Sequence, residues 1–311
     1  MLVGSLLTRR LVFESIVIMR CFPPWLYPTL GYLLPSVWRT KGYIKRAQEL
    51  LGPAFAKRLG ELDNGTYKAS GRHDGFTWLC ELAEGADRDP TKLAHYEILL
   101  ALASIHTTLL REVNLLYDIM AEPSYFDVLR EEINEEVACG WTKASYANLH
   151  KLDSVLRESQ RISPPQSIGL RRIMQKSYTL ADGTMLPKGS YVCVASYAIE
   201  NDPAKTIDPS NFDGLRNFKK REANLSSNRH LFTTAEPDVL GFGNGKTACP
   251  GRFFATLALK AVFVKMLSEY DFKYKDGRTK KPKNFLVHEF VFPNRANEIL
   301  VRKKKQSNSP F

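Results

Sequence analysis

From His95, the stretch HYEILLALASIHTTLLREVNLLYDIMAEP is apolar around most of a helical circumference, the pattern of a long helix buried within a domain, and Pro123 punctuates its end. SYFDVLREEINEEVA, Ser124 to Ala138, keeps apolar residues on one side and acids on the other, predicting an amphipathic helix capped by Ser124. YANLHKLDSVLRESQRI predicts a third helix that stops before Pro164 and Pro165. The period then changes. SIGLRRIMQKSYTLADGTMLPKGSYVCVASY carries short strands about an Asp182–Gly183 turn. Residues Asn201 to Leu240 show no sustained period and are read as irregular. PGRFFATLALKAVFVKML returns to helical spacing, and DFKYKDGR with FLVHEFVFPNRANEILVRKK predicts a closing segment rich in hairpins. The fold class expected is mainly α with small β-regions, mainly helical over residues 1–162 and mixed over 163–311.

The N-terminal stretch MLVGSLLTRRLVFESIVIMR interrupts its apolar run with Arg9, Arg10 and Glu14, so it predicts an amphipathic helix rather than a signal peptide or a span. CFPPWLYPTLGYLLPSVW is apolar and aromatic, but four prolines prevent a single spanning helix. It packs on the core or meets a membrane surface. At 311 residues the chain can bury a substantial core, and five cysteines without a C-x-x-C motif argue against a disulfide framework. The net charge of +11 admits nucleic acid, an anionic membrane or an acidic protein. No nucleic-acid module interleaves its basic residues with aromatics, and part of the excess sits in the tail RKKKQSNSPF, expected to be frayed.

Candidate chemistry concentrates in LGFGNGKTACPGRFFA, which opens at Leu240. GNGKT ends like a phosphate-binding loop, but that loop needs a glycine five positions before Gly245, where Leu240 stands, and a buried strand ahead, where TTAEPDV is a poor one. The alternative is a glycine turn that presents a cysteine to a metal. Gly243 and Gly245 permit the turn, and Cys249 stands just ahead of a helix N-terminus, where unpaired N–H groups and the positive end of the dipole favour a thiolate. One thiolate cannot complete a four-ligand zinc site, but it can be the single axial ligand of a haem. A buried free cysteine is the plainer alternative.

Two further constellations are ambiguous alone. Glu158 and Arg161 lie three apart on one helix face, a spacing common in surface pairs. ASIHTT, Ala103 to Thr108, puts a histidine and two threonines in the middle of an apolar helix, where threonines bond back to the preceding turn and a core histidine needs a partner.

The letters FGNGKTACPGRFFA resemble the cysteine-ligand loop of the cytochrome P-450 family, F-G-x-G-x-[basic]-x-C-x-G before a long helix: Phe242, Gly243, Gly245, Cys249 and Gly251 match. Thr247 stands where the family usually has His or Arg for a haem propionate, with Lys246 beside it. The resemblance gives the other constellations a joint meaning. Glu158, Arg161 and, from NFDGLRNF, Arg216 match a buried charge triad beneath the haem, although Gly214 replaces the usual proline there. ASIHTT is similar to the helix that crosses the oxygen-binding face, in the variant of fungal enzymes acting on terpenoids and other secondary metabolites. Ala103 would bound the pocket, Thr107 would hydrogen-bond the activated oxygen, and His106 would relay protons where the family has a carboxylate. In SPPQSIGLRR, Ser167 and Ile168 would face substrate and Arg172 would meet a propionate.

The function implied is a haem-thiolate monooxygenase that inserts one oxygen atom from O2 into an apolar secondary metabolite of terpenoid or polyketide type. Its cofactor would be haem b held by Cys249, with electrons from NADPH delivered by a reductase docked on the basic face. The resemblance runs through nearly the whole chain as a single domain, residues 1–311, with the haem-binding loop at 241–251. The family's anchor, early helices and haem-gripping Trp and Arg have no counterpart, so an N-terminally truncated member is expected. Family members sit on the cytoplasmic side of the endoplasmic reticulum, where the proline-broken segment would touch the bilayer; a chain without the anchor would be cytoplasmic. The alternatives are an inactive remnant with weak or no haem binding and, further off, a P-loop nucleotide-binding protein.

Overall fold

A computed structural model describes residues 15–69, 74–223, 229–305 and 309–310. The fold is mainly α with small two-stranded sheets. By internal packing the chain divides into two compact units, residues 1–106 and 107–311, the division falling within one long helix.

The first unit holds α1 (Tyr27–Leu33), α2 (Pro35–Asp63), α3 (Gly75–Leu82) and the first half of α4 (Pro90–Ala121). Leu34, extended at φ −78° and ψ 115°, separates α1 from α2 because the residue before a proline is excluded from helical backbone. Phe55, Leu59, Cys80, Leu93 and Ala94 form the small core. Asp74 caps α3 by accepting the Thr77 amide at 2.9 Å, and the Arg58 guanidinium bonded to it holds its carboxyl down at about 2. Trp25, Tyr32 and Trp38 stay exposed. Most of the amphipathic helix expected at the N-terminus lies outside the described residues; residues 15–20 are helical.

The second unit carries the rest of α4, then α5 (Ser124–Ala138), α6 (Ser145–Asn148), α7 (His150–Ile162), α8 (Ser196–Glu200), α9 (Arg216–Ala223) and α10 (Arg252–Glu269). Its strands are β1 (Gly169–Ile173), β2 (Tyr178–Thr179), β3 (Met185–Leu186), β4 (Tyr191–Val194), β5 (Tyr270–Tyr274), β6 (Phe285–Val287), β7 (Phe290–Phe292) and β8 (Ile299–Lys303). They pair antiparallel as β1–β4, β2–β3, β5–β8 and β6–β7. The β2–β3 hairpin turns at Asp182–Gly183 as its sequence predicts, with Gly183 at φ +87°. Leu115, Ile119, Leu129, Leu152, Leu156, Phe263 and Leu267 anchor the core. On α10 the buried Thr256, Leu259, Lys260, Phe263, Val264 and Leu267 recur at helical spacing, so one face packs inward.

Several expectations are corrected. Ser124 does not cap α5: Pro123 is the capping residue, with no side-chain bond to the first turn. The third helix breaks at Leu149, whose ψ of 75° ends α6. The first amides of α7, Lys151 and Leu152, donate instead to the buried carboxylate of Glu132 on α5. The stretch read as irregular contains α9, and the tail's Arg302 and Lys303 lie in β8, paired to β5. The long helix is not buried throughout. Asn114 to Met120 are buried, whereas Leu99, Leu100, Ile105 and Leu109 are exposed, because apolarity around a helix does not itself supply partners. By length and composition alone, α4 would suffice to cross a membrane.

Candidate functional site

The site is assembled on the N-terminal end of α10. Gly243 and Gly245 adopt φ of +76° and +62°, so the loop from Leu240 turns back on itself. Gly243 donates its amide to the Leu240 carbonyl at 2.7 Å, and Cys249 donates to the Phe242 carbonyl at 2.7 Å. Those two bonds fix where the Cys249 backbone stands, and its side chain is exposed ahead of α10. Phe242 packs edge-on against buried Phe232, ring centroids 5.0 Å apart, and Gly251 leaves space close to the sulfur, a Cβ there lying 3.9 Å from Cys249 Sγ. At Gly241 a Cβ would lie 2.6 Å from the Gln160 amide carbon, so α7 seats directly under the loop. Residues 245–247 form a short 3-10 turn, and the segment ahead of Leu240 makes only an isolated bridge, Glu236 to Val239, not the strand a phosphate loop requires.

Arg172, on β1, reaches across to the loop and donates from Nη2 to Thr247 Oγ1 at 2.7 Å. The guanidinium that the sequence lacks at position 247 is thus delivered from another element. Arg172, Gly243, Thr247, Gln166 and Leu170 border a cavity of about 250 Å³. Among the described residues no three His, Cys, Asp or Glu side chains cluster as metal ligands. A lone exposed sulfur, a neighbouring cation and exposed Phe253 and Phe254 suit a metal that arrives with four donors of its own in a flat apolar ring. Haem fits this donor set; a protein-ligated zinc does not.

The charge triad is formed. Glu158 is fully buried and its carboxylate accepts Arg161 Nε at 3.0 Å and Nη2 at 2.6 Å, Arg216 Nε at 3.2 Å and the Asp213 amide at 3.2 Å. Both guanidiniums spend their other N–H groups on carbonyls, Arg161 on Pro209 and Arg216 on Ile207, so the loop ahead of α9 is tied to α7. Gly214, where the family's proline was expected, has a local cause: its amide donates to Tyr125 Oη at 2.7 Å, and a Cβ would lie 2.8 Å from the Tyr125 ring. Gly214→Pro removes that donor and overpacks the ring. It should lose about 1–3 kcal/mol for the steric change alone, read as a lower urea midpoint with unchanged slope, while Gly214→Ser keeps the amide and loses less.

Ser167 is held by its amide on the Glu289 carbonyl at 2.8 Å and lines a second cavity of about 490 Å³ with Ile162, Tyr197, Lys281, Asn284 and Val291. Ile168 beside it is half-buried. Lys281 there donates to Asp118 Oδ1 at 2.7 Å and Ser163 Oγ at 2.8 Å. Burial pushes Asp118 up against the pull of Lys281, and brings nearby Arg111 down to about 10. On α4, Ala103 and Thr107 are four apart on an exposed face, while His106 is buried.

Sequence reasoning missed Gln160 under the loop, Glu200, whose carboxylate accepts the Leu240 amide at 2.8 Å, and the buried Asp153–Lys260 pair at 2.9 Å. The available signal was a charge on a core-facing helical position: Lys260 falls between buried Leu259 and Phe263.

The chain belongs to the cytochrome P450 family, whose model matches residues 13–301. It is 38% identical over 295 residues to cytochrome P450 monooxygenase AN1598 of Emericella nidulans, covering 94% of this chain and 55% of that protein. It is 35% identical over 301 residues to cytochrome P450 monooxygenase paxP of Penicillium paxilli, covering 94% and 57%. To ent-kaurene oxidase of Gibberella intermedia it is 33% identical over 297 residues, covering 94% and 55%. The chain therefore spans little more than half the length of these relatives. The phosphate-loop reading falls with this membership.

Proposed function

We propose that the chain, residues 1–311, is part of one P450-type domain and supplies the thiolate side of a haem monooxygenase acting on an apolar secondary metabolite of terpenoid or polyketide type. The observation that carries the reading is Cys249, exposed at the end of a glycine-turned loop, with Arg172 brought to Thr247 beside it. When bound, haem b supplies the oxygen-activating redox chemistry, with electrons from NADPH through a reductase. Cys249 Sγ would hold its iron, and Arg172 would hold a propionate by charge-assisted hydrogen bonds. Phe242 shields the sulfur side, and Gly243 lets the backbone approach without a side chain. By the resemblance Thr107 would hold a hydrogen bond on the oxygen side and His106 would pass on a proton, a task an imidazole suits. Ser167 and Ile168 would bound the substrate, a role the resemblance gives to Ala103 as well. The relative named for ent-kaurene supports the terpenoid class. The net charge of +11 suits an acidic reductase face, and exposed Trp25, Tyr32 and Trp38 suit contact with the cytoplasmic surface of the endoplasmic reticulum.

The test is the spectrum of the full chain loaded with haem, reduced and exposed to carbon monoxide. A strongly red-shifted Soret band that is lost in Cys249→Ala is the expected result. A band at the position of histidine ligation, or one that survives in Cys249→Ala, overturns the assignment and leaves the reading of a remnant without a competent site.

A further inference from the structure

The last residue of α8, Glu200, is 8% exposed, and its carboxylate is directed at the entrance of the cysteine loop. Oε1 accepts the amide of Leu240, itself buried, at 2.8 Å. From that residue a short chain of backbone bonds runs to the cysteine: the Leu240 carbonyl accepts the Gly243 amide, and the Phe242 carbonyl accepts the Cys249 amide, both at 2.7 Å. Gln160 on α7 lies close enough to Gly241 that a Cβ there would come within 2.6 Å of its amide, so the loop entrance is bounded by α8 and α7 together. The Glu200 end of this clamp is secured in turn, since its own carbonyl accepts Thr206 Oγ1 at 3.0 Å.

We propose that Glu200 is a positioning residue of the cysteine loop: its carboxylate holds the Leu240 peptide, that peptide sets the course of the backbone to Cys249, and the hold loosens when the carboxyl group takes a proton. The role in haem ligation rests on the reading of Cys249 given above; the clamp itself does not. The charged groups that face Glu200 are Arg157 and Arg161 on α7 and Arg111 on α4, with Glu236 paired to Arg157 at 3.7 Å. All three guanidiniums favour the ionised form, as does the Leu240 amide, but burial outweighs them and brings Glu200 to about 7. The clamp therefore changes strength near neutral pH. Global stability moves the other way. A carboxyl group raised from 4.5 to about 7 contributes stability that is fully present below pH 4.5 and is lost as the pH rises through 7. A tight loop and the most stable fold are thus favoured on opposite sides of neutrality, and that opposition separates positioning from a merely structural role.

The experiment is hydrogen exchange of the full chain without haem, native and Glu200→Gln, at pH 6 and pH 8, read on peptides spanning Leu240 to Cys249. Comparing the two chains at each pH cancels the intrinsic pH dependence of exchange. At pH 8 the Glu200→Gln chain should exchange these amides about fivefold or more faster, the difference between a charge-assisted and a neutral hydrogen bond. At pH 6 the two chains should converge. Core peptides of α7 and α10 should match throughout, and the thermal midpoint of Glu200→Gln at pH 8 should be no lower than that of the native chain. Equal exchange at pH 8, or acceleration spread through α7 and α10, overturns the proposal. Loaded with haem, the native chain should show a weaker red-shifted carbon monoxide band as the pH falls from 8 to 6. Glu200→Gln should show the weakened band at both values, and identical pH profiles would likewise overturn positioning. If neither chain gives the band while exchange behaves as expected, the haem reading fails and the clamp on Leu240 stands.

Discussion

Replacing Glu158 by alanine is expected to cost about 3–5 kcal/mol, enough to shift the melting midpoint on the order of 10 °C. Glu158 has no exposed surface, and Arg161 and Arg216 beside it are 8% and 11% exposed at the side chain. Removing the carboxylate leaves two guanidiniums facing each other out of water, with the Asp213 amide also unpaired. Breaking a buried pair from one side is the costly direction, because the remaining charge has no counter-charge and little solvent. Arg216→Met should cost less, since Glu158 keeps the two-point contact from Arg161 at 3.0 and 2.6 Å. Thermal melts followed by far-ultraviolet circular dichroism decide the matter: a Glu158→Ala midpoint within 2 °C of the native chain, roughly 1 kcal/mol or less, would sink the claim.

Asp153→Ala is expected to be comparably damaging, about 3–5 kcal/mol, for a reason independent of the triad. Asp153 and Lys260 are each 4% exposed at the side chain and meet at 2.9 Å. The carboxylate also accepts the Phe232 amide at 2.6 Å, and the ammonium gives a second proton to the Tyr146 carbonyl at 3.0 Å. Alanine at 153 strands a buried ammonium in the face of α10 that packs on the core. The double replacement Asp153→Leu with Lys260→Met should recover a large part of the loss, because removing both charges of a buried pair is far cheaper than removing one. Urea denaturation of Asp153→Leu, Lys260→Met and the double variant closes the cycle. A double variant as unstable as the sum of its parts would show that packing, not the stranded charge, is what Asp153 supplies.

What was legible in the sequence was what is local. The helix Ser124–Ala138 was legible apart from its capping residue, because its apolar and acidic faces alternate with the turn of the helix. The hairpin at Asp182–Gly183 and the turn at Gly243 were read from residues that tolerate positive φ. Glu158 and Arg161 were visible as a spacing, though only the resemblance gave them Arg216. The helix Arg216–Ala223 was missed because RNFKKREA has no apolar period, and the acceptor for its first amides is brought from elsewhere: Ser154 Oγ on α7 takes the Asn217 and Phe218 amides at 3.1 and 3.0 Å. Glu200 and Gln160 were missed for the same reason. Their contacts with Leu240 and Gly241 span 40 and 81 positions, and no local pattern records them. The break at Leu149 was hidden because the carboxylate that caps α7 belongs to Glu132.

The helix α7 is buried from Leu152 to Arg161, yet most of what it buries is polar; Ser159 meets Asp118 and Arg111 earlier in the chain, but most of the other partners come later. Asp153 finds Lys260, Ser154 the amides of α9, Arg157 the carbonyl of Leu231, Glu158 Arg216, and Arg161 the carbonyl of Pro209. During synthesis Lys260 follows Ile162 by about a hundred residues, roughly 5–20 s at ordinary translation rates. Through that interval a conventional core helix would expose a sticky apolar face. This one exposes carboxylates, guanidiniums and hydroxyls that water can satisfy. The same residues that demand exact partners in the finished fold keep the nascent chain soluble while it waits for them.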